Sequence, residues 1–161
     1  MLDFIGFFGP QILFFVTLVA LYPQKRFMFV YVIAIVFNSL LNFGLKAIIK
    51  QPRPKGELNV FGKKHSPRIL SDVYGMPSGH SQHVFLSTVY IYLVLKNNGL
   101  TLFYFLLSLL TLRQRVKYKN HTVVQVIVGS CIGAIVAYLA YIMALKGPST
   151  NWTVGYLRST N

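Results

Sequence analysis

Acidic residues are nearly absent from this chain. Asp and Glu number 3 in 161 residues, against 16 Lys and Arg. Calcium and magnesium sites built on carboxylates are therefore excluded. Asp3, Glu57 and Asp72 do not pair in sequence. His80 and His83, at i and i+3, supply two ligands where a zinc site needs more. No metal and no cofactor are expected. Cysteine is equally scarce: the single Cys131 rules out an internal disulfide, and its apolar surroundings suit a small helix-packing residue. Charged residues make up only 12%, about half the share in a soluble domain, so an ordinary soluble fold is excluded as well.

What the chain has is hydrophobic residues, 54% of the total. They fall into apolar runs at about 4–22, 27–45, 80–95, 100–112 and 123–145. The longer runs approach the ~20 residues that cross a bilayer. The first is expected to be a retained span, because Asp3 and no basic segment precedes it. The fold expected is an all-α, polytopic transmembrane bundle of about five spans, forming one domain over residues 1–161. Asn38 and Asn42 share a helix face and suit interhelical hydrogen bonds. Gly129 and Gly133 form a Gly-x3-Gly pair suited to close helix packing. The net charge of +13 raises nucleic acid as a partner. The basic residues lie in short loops between apolar runs, which excludes that partner and favours the phosphates and headgroups of lipids. No feature decides between a monomer and a homo-oligomer.

One long polar segment, 46–79, interrupts the apolar runs, and its prolines and glycines break any continuous helix. Within it, Lys63, Lys64, His65 and Arg68 read as a solvated cluster near headgroups. The segment ends in Met76-Pro77-Ser78-Gly79-His80-Ser81. Pro77 suits the first position of a helix, and Ser78 and Gly79 would then offer free N–H groups at its positive end. His80 adds a side chain that carries a proton near neutral pH. Alternation of five spans brings three groups to one membrane face. Lys46 and Arg53 follow the second span, Ser78 to His80 precede the third, and Arg115 and His121 lie in a basic loop, 113–120 and beyond, before the fifth. Lys50, Lys55, Lys117 and Lys119 read as snorkelling anchors, and His83 as a packing residue.

Lys46-x6-Arg53-Pro54, Pro77-Ser78-Gly79-His80 and Arg115-x5-His121, in that order, resemble the type 2 phosphatidic acid phosphatase superfamily of membrane lipid phosphatases. Tyr74 to Gln82 and Tyr118 to Val126 are most similar to its dolichyl-diphosphatase branch, with Gly79 where that branch usually has a second serine. The resemblance implies hydrolysis of a polyprenyl diphosphate to the monophosphate, or of phosphatidic acid or another lipid phosphate. It implies that His121 attacks phosphorus to form a phosphohistidine. His80 would protonate the leaving oxygen and then activate water. Lys46, Arg53, Ser78, Gly79 and Arg115 would hold the phosphoryl oxygens. Gln125, where most of the superfamily has Asp, would accept the N–H of His121 from i+4 on the same helix face, its oxygen held by an unidentified donor. The rival from another class is an inactive relative that binds lipid or scaffolds other membrane proteins.

The resemblance also implies a multi-pass protein of the endoplasmic reticulum or another endomembrane, with a lumenal catalytic face. Lys and Arg number eleven in the catalytic-face segments and five elsewhere, which by the positive-inside rule argues for a cytosolic face. Three of the eleven are assigned to phosphate, and the lumenal reading is kept. The sequons Asn120-His121-Thr122 and Asn151-Trp152-Thr153 fall on opposite faces. A glycan at Asn151 after expression in a eukaryotic host would reverse this orientation.

Overall fold

The computed structural model describes residues 1–63 and 68–146, and every regular element among them is helical. The first apolar run divides into α1 (Leu2–Phe7) and α2 (Gly9–Ala20), with Phe8 between them. Pro10, in the first turn of α2, has no N–H to continue a helix from α1, so the break falls just before it. α3 (Lys25–Ile49) ends at Lys50 in the left-handed region, φ 50°. α4 (Gly79–Leu95) ends likewise at Lys96, φ 49°. α5 spans Asn98–Lys117 and α6 spans Val123–Lys146. Asn97 caps α5, its Oδ1 accepting the N–H of Leu100 at 2.9 Å. Between α3 and α4 the chain makes one short 3-10 turn, Leu70–Val73.

Three boundaries differ from the sequence reading. Lys46 lies in the last turn of α3 rather than in the loop, because Lys46-Ala47-Ile48-Ile49 contains no helix breaker. Arg113 and Arg115 belong to the end of α5, where basic side chains also suit the helix dipole. Pro77 precedes the helix by two residues. Ser78 is the N-cap, with extended φ −71° and ψ 116°.

α4 is the hub, packing on α2, α3, α5 and α6. Its approach to α6 is closest where α6 has glycine. A Cβ on Gly129 would lie 2.5 Å from the Ser78 carbonyl oxygen, and one on Gly133 would strike the carbonyl oxygen of Gln82. The Gly-x3-Gly pair is thus a backbone-to-backbone seam. Across the other side of α4, Gln82 donates to Asn38 Oδ1 at 2.7 Å and accepts from Asn42 Nδ2 at 2.8 Å. All three residues are buried. Outward-facing positions are apolar instead: Phe37, Leu40 and Ile48 on α3, and Ile135, Leu139 and Met143 on α6, are exposed. Polar groups inside and apolar groups outside are the distribution of a bundle bathed in hydrocarbon. α3 and α6 are long and apolar enough to cross a membrane, and α2 is a shorter apolar helix.

Lys64 and His65 of the expected basic cluster, and the sequon at Asn151, lie outside the described residues. Asn120 of the other sequon is fully buried, and its Nδ2 donates to the carbonyl of Leu58 at 2.8 Å, so the folded chain has no room for a glycan there.

The seam yields a direct test. Gly133→Leu places a side chain into backbone and is expected to destabilise the protein by about 1–3 kcal/mol or more. Gly44→Ala, at a helix position with open space beside it, is expected to leave stability unchanged or raise it by about 0.5–1 kcal/mol. Thermal unfolding of detergent-solubilised protein measures both.

Candidate active site

A cavity of about 560 Å3 opens beside the N-terminal end of α4. His80, His121, Lys46, Arg53 and Arg115 all line it, so three separated stretches of sequence meet at one place. Gly79 and Asn42 also reach it, and so do Arg68 and Asp72 from the loop. Apolar residues form another part of its wall, Pro10, Phe14 and Phe15 of α2 and Ile35 of α3, with Gln11 among them. Phe15 is exposed on the outside of the bundle, so the cavity communicates with the apolar surface.

His121 precedes α6 and is 4% exposed. Its Nδ1 lies 2.8 Å from the carbonyl oxygen of Gly75. A carbonyl can only accept, so Nδ1 carries the proton and Nε2 carries the lone pair. Nη1 of Arg53 stands 3.2 Å from that lone pair and also donates to the Asn120 carbonyl at 2.8 Å. Burial, then the charges of Arg53, Lys46 and Arg115, hold the His121 pKa well below the usual histidine value. The two contacts, a donor at Nδ1 and an acceptor at Nε2, are those of a neutral ring. His80 Nε2 lies 3.4 Å from Nη1 of Arg115, and the ring of Phe7 lies against both side chains. No sequence signal marked Phe7, because α1 reaches this end of the bundle only through its packing on α5.

Two expected site residues stand elsewhere. Ser78 is fully buried behind the cavity. Its N–H, expected to be free, donates to the carbonyl of Gln125 at 3.1 Å. Gln125 does not reach His121. α6 starts at Val123, so the i, i+4 relation that would have joined the two rests on a helix that has not yet begun. Instead Thr122 and Gln125 form a capping box. Thr122 Oγ1 accepts the Gln125 N–H at 3.2 Å, and Gln125 Oε1 accepts the Thr122 N–H at 3.1 Å. The donor holding the Gln125 oxygen is thus Thr122, and it holds that oxygen away from the histidine. Thr122-x2-Gln125 carries this signal in the sequence. His83 bridges helices as a packing residue should, with Nε2 3.0 Å from Ser39 Oγ, and it also borders the cavity.

Asp72 went unmarked in the sequence and is central in the structure. Its Oδ1 accepts from Lys46 Nζ at 2.6 Å and from Arg53 Nη2 at 3.1 Å, and its Oδ2 accepts from Arg68 Nη1 at 2.7 Å. Arg68 is also paired with Glu57, so it is no solvated loop residue. The available signal was scarcity: Glu57 and Asp72 are the two carboxylates between Lys46 and His80, and in so basic a chain they have cations to meet. Arg115 has no such anion. Its Nη2 is buried without an acceptor among the described residues, an unmet donor that an anion in the cavity would satisfy. Among those residues no three His, Cys, Asp or Glu side chains gather to hold a metal ion.

Burial opposes the charge on Asp72, but the bonds and charges of Lys46, Arg68 and Arg53 outweigh it and lower the carboxyl to about 2. A depressed carboxyl contributes stability that is complete above its ordinary value of 3.8 and is lost as pH falls toward about 2. Asp72→Asn is accordingly expected to lower the unfolding temperature throughout pH 5–8. The gap to the parent protein should close as the pH falls from about 4 toward about 2.

Comparison with known proteins agrees with this arrangement. Residues 13–147 match the family model described as the PAP2 superfamily. Over 119 residues the chain is 36% identical to the lipid phosphate phosphatase epsilon 2, chloroplastic, of Arabidopsis thaliana; the match covers 69% of this chain and 37% of that protein. Over 114 residues it is 37% identical to the dolichyldiphosphatase of Saccharomyces cerevisiae, covering 65% of this chain and 46% of the relative. The lipid phosphate phosphatase epsilon 1, chloroplastic, of Arabidopsis thaliana is 36% identical over 120 residues, 70% of this chain and 39% of its own. The matched region thus spans less than half the length of each of these relatives. No solved structure gives a significant match. With the family model covering most of its length and its motif residues gathered at one cavity, the chain belongs to the PAP2 superfamily.

Proposed function

We propose that this chain is a membrane lipid phosphatase, and that its substrate is a polyprenyl diphosphate of the dolichyl type, hydrolysed to the monophosphate. The observation that carries the reading is the composition of one cavity: His80 and His121, with His83 beside them, and four cations line it, and an apolar part of its wall includes Phe15, which is exposed on the outer surface. The cations suit a phosphate or diphosphate group, and the apolar wall suits the chain attached to it. The relatives it is similar to, lipid phosphate phosphatases and a dolichyldiphosphatase, support this class. The chain is read as crossing the bilayer with α2 to α6 as its five spans, the cavity opening on the lumenal face of an endomembrane. A purely scaffolding relative would have no need of two histidines at one cavity.

The lone pair of His121 Nε2 is covered by Arg53. A phosphate oxygen would take that guanidinium and expose the lone pair. Nε2 then attacks phosphorus, forming the P–N bond as the P–O bond to the leaving group breaks with its electron pair. His80, protonated as the anionic substrate arrives, gives its proton to the departing oxygen. A water next attacks phosphorus and gives a proton to His80, and the P–N electrons return to His121. Lys46, Arg53 and Arg115, with Gly79 at the helix start, hold the phosphoryl oxygens as their charge redistributes. Neither metal nor cofactor enters the scheme.

Purified protein in mixed micelles is expected to release inorganic phosphate from a polyprenyl diphosphate with chelator present, and vanadate should inhibit it. His121→Ala should lose activity on the order of 10³-fold or more and form no phosphoenzyme. His80→Ala should slow both formation and breakdown of that intermediate by roughly 10²–10⁴. Phosphate release and acid-labile protein phosphate are the measurements. Activity that disappears with chelator and returns with a divalent ion overturns the scheme.

A further inference from the structure

The residues behind His121 form a chain of contacts that none of the motif positions accounts for. A nucleophilic histidine needs its far nitrogen held, so that one tautomer and one ring orientation persist. Here the holding group is main chain: the carbonyl of Gly75, 2.8 Å from Nδ1. A carbonyl orients a ring only as well as its own peptide is fixed. Three contacts fix this one. The Gly75 N–H donates to the carbonyl of Gln51 at 2.8 Å, beside an antiparallel bridge between Pro52 and Tyr74. The Gln125 amide lies flat against Gly75, so that an added Cβ would sit 2.5 Å from Oε1 and 2.6 Å from Nε2. The same amide ties the two strands of contact together. Its Nε2 donates to Gln51 Oε1 at 2.8 Å and to the Pro52 carbonyl at 2.9 Å, while its Oε1 is held by Thr122. These partners admit only one orientation of the amide, because carbonyl oxygens cannot donate and an N–H cannot accept.

We propose that the Gly75 carbonyl, fixed by the main chain of Gln51 and by the Gln125 amide that the Gln51 side chain holds, orients the reactive histidine, and that Gln51 and Gln125 are positioning residues of this site. The proposal rests on the reading of His121 as the nucleophile. Its consequence is a neutral support. The carbonyl sets the tautomer without supplying the negative charge that a carboxylate at position 125 would bring. The charged and titratable groups nearest the ring are Arg53 from the loop, Lys46 from α3, Arg115 from α5 and His80 from α4. The one carboxylate lining the cavity, Asp72, is engaged by Lys46, Arg53 and Arg68.

Gln51 lies at the surface, so it can be altered with little risk to folding. Gln51→Leu removes the acceptor for Gln125 and is expected to lower kcat about 10- to 100-fold with KM within about 2-fold, as loss of such an outer contact does. Gln51→Glu keeps an acceptor oxygen and is expected to restore most of the turnover. The carboxylate it introduces favours the imidazolium, so the acid limb of its kcat/KM profile should move upward. Gly75→Ala should be impaired by collision with the Gln125 amide, and the double variant Gly75→Ala/Gln125→Ala should be no worse than Gly75→Ala alone. Nitrogen-15 spectra of histidine-labelled parent protein give a measure independent of any variant: the His121 ring should carry its proton on Nδ1. A proton on Nε2 overturns the proposal. So does a Gln51→Leu protein that loses unfolding temperature but keeps its kcat, or a Gln51→Glu protein as slow as Gln51→Leu. If His121→Ala retains turnover, the assignment of the nucleophile has failed. If His121→Ala is inactive while Gln51→Leu turns over like the parent, the clamp alone has failed.

Discussion

The close approach of α4 to α6 governs the arrangement at the cavity. Glycine at 129 and 133 removes the side chains that would keep the two backbones apart, so α6 lies against the carbonyls of Ser78 and Gln82. The Ser78 N–H completes the join by donating to the Gln125 carbonyl. His80 belongs to the first turn of one helix and His121 lies two residues before the other. Setting the seam therefore sets the two rings relative to each other. Side-chain packing alone would allow such helices to slide; contact between backbones, with a hydrogen bond across it, leaves far less freedom.

Around that seam the chain concentrates positive charge where water is scarce. Lys46 is 5% exposed and Arg115 is 3% exposed, and buried cations are costly unless paired. Asp72 meets part of the cost by bridging Lys46, Arg53 and Arg68. Arg115 is met by the Gln114 amide at 2.6 Å and by the face of Phe7, and it keeps one nitrogen without an acceptor among the described residues. The local structure is thus complete on the Asp72 side and incomplete on the Arg115 side.

Much of this was legible in the chain itself. Apolar runs and basic loops imply a helical bundle turned inside out, and the observed helices fall on those runs. The Asn38, Asn42 and Gly129, Gly133 spacings read correctly as interhelical contacts, since both depend only on helical periodicity. Errors gathered at helix ends. Lys46 and Arg115 were placed in loops because charge at the edge of an apolar run resembles a boundary, whereas a basic last turn is favourable. Gln125 was placed beside His121 by counting helical turns from a residue that lies before the helix. The capping box Thr122-x2-Gln125 was the stronger local signal, and it turns the amide toward Gln51 and Pro52.

By itself the sequence determined the helical class, the apolar exterior, and the set of histidines and cations that meet at one end of the bundle. The first two follow from composition and periodicity, while the set was picked out by the resemblance of its motifs, with alternation of spans bringing them to one face. Only the tertiary structure decided which groups support that set. The Gly75 carbonyl, the bridging Asp72 and the ring of Phe7 meet His121, Lys46 and Arg115 through contacts that no motif marks. A backbone carbonyl has no sequence signature, since every residue has one. Which carbonyl faces a histidine depends on how a loop folds back over a helix end, through contacts between residues far apart in the chain.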